Sequence, residues 1–134
     1  MSRSDAPAAA PNVLVVDDDL ALRGLFKNLL SRQGFAVDAA TDGRDAFDHI
    51  EQHCYSVILL DLMMPNVNGF ELLDRLERES PALLSRVIVM TGASHRATSS
   101  LDVSKVWGLI RKPFDINDLV KSTMACARAT RGNA

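Results

Sequence analysis

Cysteine is scarce here: Cys54 and Cys126 are the only two among 134 residues, far apart and in no CxxC or other metal-ligand spacing. Both lie in apolar stretches, so both are expected as buried thiols of a chain in a reducing compartment. An excess of charge of one sign is also missing. The formal net charge of −2 supplies no electrostatic reason for binding nucleic acid or a membrane surface. No apolar run approaches the length of a membrane span, and the first dozen residues, MSRSDAPAAAPN, lack the continuous apolar stretch of a secretory signal. These absences point to a cytoplasmic protein. No internal repeat of solenoid length is present either.

What is present is ordinary globular material, 47% hydrophobic and 24% charged. A single domain of this size buries about two-thirds of its unfolded surface and needs neither disulfide nor structural metal. Residues 1–11 are expected to be a disordered extension, since Pro7 and Pro11 oppose a helix, with the domain over 12–130 and a tail over 131–134. An ordinary Met1 and a polar ending lean toward a complete single-domain chain, with no room for a DNA-binding partner domain.

Val13–Val16 and Val57–Leu60 are short, wholly apolar runs that stop at Asp17-Asp18-Asp19 and Asp61, and Val87–Met90 stops at Thr91. Such runs suit strands covered on both faces. Phe35–Ala40 reads as a weaker strand, and Trp107–Ile110 as a fifth before Arg111-Lys112-Pro113. Between them, helical stripes run through Leu22, Leu25, Phe26, Leu29 and Leu30 up to Gly34, through Ala46, Phe47, Ile50 and Cys54, and through Phe70, Leu72, Leu73 and Leu76 up to Ser80-Pro81. Asp115 caps a last helix whose stripe is Ile116, Leu119, Val120, Met124 and Ala127. The Ser/Thr-dense segment Ser94–Val106 fits no long stripe and is read as a short or irregular fourth helix. Alternating strands and helices give a doubly wound α/β fold.

In an open parallel sheet, ligands bind beyond the carboxyl ends of the strands. Asp17, Asp18, Asp61, Thr91 and Lys112 all fall at such ends. If the first and third strands are neighbours, three carboxylates share one crevice. Each like pair at about 4 Å then costs roughly 4 kcal/mol at an effective dielectric near 20. A hard divalent cation relieves that repulsion, and Mg²⁺ suits one or two carboxylates plus a phosphate oxygen. A carboxylate is also a nucleophile toward phosphorus, while a hydroxyl and an ammonium are donors for phosphoryl oxygens.

VLVVDDD, SVILLDLMMPNVNGFEL, VIVMTGA and RKPF, in this order, resemble the CheY-like receiver domains of two-component response regulators over about residues 12–130. The resemblance implies a flavodoxin-like fold, a five-stranded sheet of order 2-1-3-4-5 with five helices. It implies Asp61 as phosphoacceptor, and Asp17, Asp18, Asp61 and the Met63 carbonyl as ligands of Mg²⁺, for which Mn²⁺ or Ca²⁺ could substitute. Thr91 becomes the switch hydroxyl and Lys112 the phosphate contact, with Lys112–Pro113 cis. The implied partners are a sensor histidine kinase or a histidine phosphotransfer protein and an output protein. The chain would be a monomer or a weak phosphorylation-dependent dimer, a signalling phosphoacceptor rather than an enzyme.

Several positions depart from the pattern or carry a plainer reading. Leu109 stands where the family usually has Tyr or Phe, and Trp107, two residues earlier, is expected on the same strand face as part of a modified output surface. Gly92 keeps the site open, and Met63 and Ala93 cannot orient an attacking water, so self-hydrolysis should be slow. Asp19 reads as a helix cap, and Met63 and Met64 as loop packing apart from the carbonyl. His49 and His53 read as a solvated helix face, His95 as a loop residue, and Glu71, Asp74, Arg75, Arg78 and Glu79 as an exposed face with weak ion pairs. Two other functions remain open. One is a degenerate receiver that binds partners without phosphate, kept alive by Leu109. The other is a phosphatase of the haloacid-dehalogenase type, suggested by Asp17-x-Asp19 and opposed by Ala21.

Overall fold

Alternation along the strands divides the core into two layers. Leu14, Val16, Ile58, Leu60, Val87 and Val89 face one side, and Val13, Val15, Val57, Leu59, Ile88 and Met90 the other; all are fully buried. A strand covered on both faces has no polar side, which is why these runs contain no polar residue until their last position.

The computed structural model describes residues 11–62, 69–92 and 104–132. Along them run β1 (Asn12–Val16), α1 (Leu20–Arg32), β2 (Ala36–Ala40), α2 (Gly43–Gln52), β3 (Val57–Asp61), α3 (Gly69–Glu79), a 3-10 helix (Pro81–Arg86), β4 (Val87–Thr91), β5 (Gly108–Arg111) and α4 (Ile116–Gly132). The strands form one parallel sheet of order β2-β1-β3-β4-β5, in the register Val13 to Val37 and Val57, Leu59 to Ile88, and Met90 to Ile110. The expected fold and strand order are therefore the observed ones. Phe26 and Leu30 of α1 pack with Leu119, Cys126 and Ala127 of α4 on one face. Ala46 and Phe47 of α2 pack with Leu72, Leu73 and Leu76 of α3 on the other.

Local chemistry sets the helix ends. Asp19 caps α1, its carboxylate accepting the Ala21 and Leu22 amides at 2.9 and 3.2 Å. At the far end Phe35 N–H donates to Leu30 O and Gly34 N–H to Ser31 O, and Gly34 takes φ +93°, the left-handed turn that glycine adopts without penalty. Asp42 caps α2 through the Asp45 amide, and Asp115 caps α4 through the Asn117 amide. The Lys112–Pro113 bond is cis.

Some expectations are corrected. Cys54 is exposed, whereas Cys126 is buried. α2 ends at Gln52, so Cys54 lies beyond the reach of its apolar stripe. After Ser80 the chain does not pass straight to β4 but makes the 3-10 helix, with Pro81 in its first turn. β5 begins at Gly108, so Trp107 stands outside it and strand alternation does not carry it to the face of Leu109. Instead Leu109 packs with the core layer containing Val106, and Trp107, 37% exposed, lines a hollow with Arg86, Ala129 and Thr130. Residues 1–10, Met63, Met64, Ala93, His95 and most of the segment 94–106 lie outside the described residues, and Ser104–Trp107 are not helical.

Candidate functional site

β1 lies between β2 and β3, so the chain turns to one side after β1 and crosses to the other for β3. The crevice at such a reversal opens at the carboxyl ends of the central strands. Asp17 follows β1 directly, Asp61 is the last residue of β3, Thr91 the last of β4, and Lys112 follows β5. The Lys112 amide donates to Thr91 O at 2.7 Å, and the Leu62 amide to Met90 O at 3.0 Å, tying adjacent strand ends together.

Asp17, Asp18 and Asp61 each turn a carboxylate oxygen into this crevice, all three within 4.8 Å of one another. Asp17 and Asp61 are buried and Asp18 is exposed. Asp17 Oδ1 accepts the Asp19 amide at 2.9 Å, while its Oδ2 is buried with no hydrogen-bond partner among the described residues. Burial raises the Asp17 carboxyl above the ordinary carboxylate range, the Asp19 amide opposes that rise, and Asp61 adds to it. Lys112 Nζ closes the site from β5, 3.0 Å from Asp61 Oδ2. Thr91 is buried beside it at the end of β4.

An orphaned, buried carboxylate oxygen beside two further carboxylates is unfavourable as it stands. A small hard cation satisfies that oxygen and removes the repulsion together, so the donor set fits a divalent ion bound through oxygen. Four of the six site residues named from sequence, Asp17, Asp18, Asp61 and Lys112, thus bring their side chains together; Thr91 ends the neighbouring strand with its carbonyl bonded to the Lys112 amide, and Met63 lies outside the described residues.

Two neighbours were missed. Arg23, from the first turns of α1, donates Nη1–H to the Asp17 carbonyl at 2.8 Å. Gly69 opens α3 against the end of β3, and a Cβ there would stand 2.6 Å from both Asp61 O and Leu62 Cα. Gly69 stands eight positions after Asp61 in the sequence, where nothing in the residue types marks a close backbone approach. Arg23 gave no signal, because a helix surface in sequence carries many arginines. His49 and His53 stay apart from the cluster: His49 Nε2 lies 3.6 Å from Asp45 Oδ1, and His53 stands edge-on to Tyr55. The α3 surface forms the expected pairs, Arg75–Glu79 at 3.0 Å and Arg78–Asp74 at 3.4 Å, and Arg75 also stacks over Phe47.

Comparison with known proteins agrees with this geometry. A family described as the response regulator receiver domain matches residues 13–124. The response regulator MprA of Mycolicibacterium vanbaalenii is 32% identical over 118 residues, covering 88% of this chain and 51% of that protein. The response regulator ArlR of Staphylococcus aureus is 31% identical over 123 residues, covering 87% and 52%. The chain therefore spans about half the length of these relatives. Among solved structures, the receiver domain of Francisella response regulator 1452 aligns with TM-score 0.79 at 29% identity, over 90% of this chain and 98% of that one. The Thermotoga maritima response regulator TrrA, in complex with Mg(2+)-BeF, aligns with TM-score 0.75 at 26% identity, over 87% and 98%. A CheY-like receiver domain from Methanospirillum hungatei shares the fold, with TM-score 0.83 at 24% identity over 93% and 99%. Its strand order, its strand-end carboxylates and these matches place the chain in the response regulator receiver domain family of two-component signalling.

Proposed function

We propose that this chain is the phosphoacceptor of a two-component phosphorelay, with Asp61 receiving a phosphoryl group from a phosphohistidine on a sensor kinase or phosphotransfer protein. One observation carries the reading: Asp61 sits buried between an acidic pair and the Lys112 ammonium, at the open end of the sheet. An Asp61 oxygen bonds to phosphorus as the P–N bond to the donor imidazole breaks. The ring nitrogen keeps the electron pair and takes a proton. Little covalent chemistry is asked of the protein beyond positioning and charge neutralisation. Asp17, Asp18 and Asp61 would hold Mg²⁺, or Mn²⁺ or Ca²⁺ in its place, and the bound ion would supply positive charge for the phosphoryl oxygens. The Met63 carbonyl belongs to the same proposed ligand set.

Once Asp61 carries the phosphoryl group as an acyl phosphate, Lys112 has a phosphoryl oxygen to contact in place of the carboxylate, and the Thr91 hydroxyl at the end of β4 would donate to another. That local change is what an output partner would read, in the cytoplasm, on the surface around β5 and α4. Leu109 offers no hydroxyl to this switch, so the readout runs without the aromatic partner usual in the family. A phosphatase of the haloacid-dehalogenase type is disfavoured by Asp19, whose carboxylate is engaged by the α1 amides. The experiment is incubation with phosphoramidate, a small P–N donor, with and without EDTA. The reading expects a hydroxylamine-sensitive acyl phosphate formed in stoichiometric amount and abolished by the chelator. Catalytic turnover, or no label at all, contradicts it.

A further inference from the structure

Asp17 must satisfy two demands at once. Its side chain points into the acidic crevice, and its backbone has just left the sheet. The β1–β3 ladder ends at Val16 opposite Leu60, and the Asp17 amide still finds Ala40 O at 3.2 Å. The Asp17 carbonyl has left that ladder, and a buried carbonyl needs a donor from elsewhere. Arg23 supplies it through Nη1, while the Arg23 amide donates to Asp19 O at 3.0 Å. The turn from β1 to α1 is therefore held from one residue at both its first and its last member. Between these two anchors the Asp19 amide binds Asp17 Oδ1, which leaves Oδ2 as the oxygen presented to the crevice.

From this arrangement we propose that Arg23 is a positioning residue for the acidic cluster: by clamping the Asp17 carbonyl, it fixes the peptide that aims Asp17 Oδ2, and with it Asp18, at the cation. The proposal rests on the phosphoacceptor reading above and extends it to a residue that touches neither ion nor phosphoryl group. A guanidinium suits the task because its planar fork holds a carbonyl at fixed geometry while staying charged at all relevant pH. Partners one step behind metal ligands commonly govern affinity by about 10- to 100-fold, because they orient the ligand rather than bind the ion.

The test is Mg²⁺ affinity by titration calorimetry on the full chain, beside circular dichroism and thermal melts. The variants are Arg23→Met, which keeps the apolar stem, and Arg23→Lys, which keeps one donor. Tyr55→Phe serves as control, since it loses a 2.6 Å hydrogen bond to Asp38 at the opposite end of β3. Arg23→Met is expected to weaken Mg²⁺ binding about tenfold or more, with Arg23→Lys intermediate. Tyr55→Phe should melt earlier yet bind Mg²⁺ like the wild type. A folded Arg23→Met chain binding within about twofold of wild type overturns the clamp. Should Arg23→Met fail to fold, wild-type affinity in Arg23→Lys overturns it instead. Weakened binding in Tyr55→Phe to the same degree also overturns it, since the effect would then follow stability alone. A wild-type chain that binds no Mg²⁺ sinks the underlying reading, an outcome distinct from the others.

Discussion

Lys112 Nζ and Asp61 Oδ2 meet at 3.0 Å although 51 positions separate them, and the Lys112 side chain is 30% exposed where that of Asp61 is 3% exposed. The pair joins the end of β3 to the residue after β5, across the intervening β4. Such a bridge cannot be an accident of a flexible surface lysine, because the Lys112 backbone is itself fixed by its bond to Thr91 O.

Removing Lys112 should therefore hurt twice. A Lys112→Ala chain leaves Asp61 buried beside Asp17 and Asp18 without its ammonium. Because the lysine is partly solvated, the metal-free protein should lose about 1–3 kcal/mol rather than the full cost of breaking a buried pair. Urea melts in EDTA measure this. Phosphoryl transfer from a small donor should fall more than tenfold, about the share expected of one lost phosphate-neutralising group. Unchanged labelling would remove Lys112 from the site.

Asp17 gives the pH dependence. Its folded-state pKa is raised by burial above the ordinary carboxylate value. The stability it contributes is thus fully present below the ordinary carboxylate range and lost as pH rises through the raised value. Above that raised value the ionised, orphaned carboxylate opposes folding. Asp17→Asn should therefore stabilise the metal-free chain above the raised value, flatten its pH–stability curve upward from the ordinary carboxylate range, and abolish stabilisation by Mg²⁺. Thermal melts across pH, with and without the ion, decide. A less stable metal-free Asp17→Asn chain would contradict the orphaned-oxygen assignment.

The two thiols should behave differently. Cys54 is exposed, while burial pushes the Cys126 thiol up to about 11, with its Sγ near Arg86 O. Only the thiolate reacts, so a maleimide at pH 7 should label Cys54 in the native chain and reach Cys126 only on unfolding. Peptide mapping of the labelled sites checks this.

Gly69 supports the acceptor through space rather than chemistry. A Cβ at 2.6 Å from Asp61 O and Leu62 Cα meets backbone, which cannot swing aside. Gly69→Ala should cost about 1–3 kcal/mol, the usual range for overpacking, and slow labelling of Asp61. Gly92→Ala is the useful contrast. Its Cβ would meet Lys112 Cβ and Cδ at 3.7 and 3.8 Å, ordinary contact distances, so stability should hardly change.

The strands ending on Asp17, Asp61 and Thr91 were readable because a doubly covered strand tolerates no polar residue before its end. Lys112 was readable from its place just after the short run Trp107–Ile110, although β5 is only partly buried and ends on the exposed Arg111. Sequence separation carried no information on which strands are neighbours, so the convergence of Asp17 with Asp61 stayed conditional until the family resemblance supplied the order. Arg23 and Gly69 were illegible for physical reasons: one acts through a backbone carbonyl, the other through a clash it avoids, and neither leaves a pattern of side-chain types. Cys54 and Trp107 were misplaced by extending a helix and a strand beyond their ends, where periodicity no longer governs which way a side chain faces.

The central claim is that Asp61 is the residue that takes the phosphoryl group. Intact-mass spectrometry after incubation with acetyl phosphate and Mg²⁺ tests it most directly, comparing wild type with Asp61→Asn. The account predicts one added phosphoryl group on the wild type, mapped to the peptide containing Asp61, and none on the variant. Equal labelling of the two, or a wild type whose mass does not change, would contradict it.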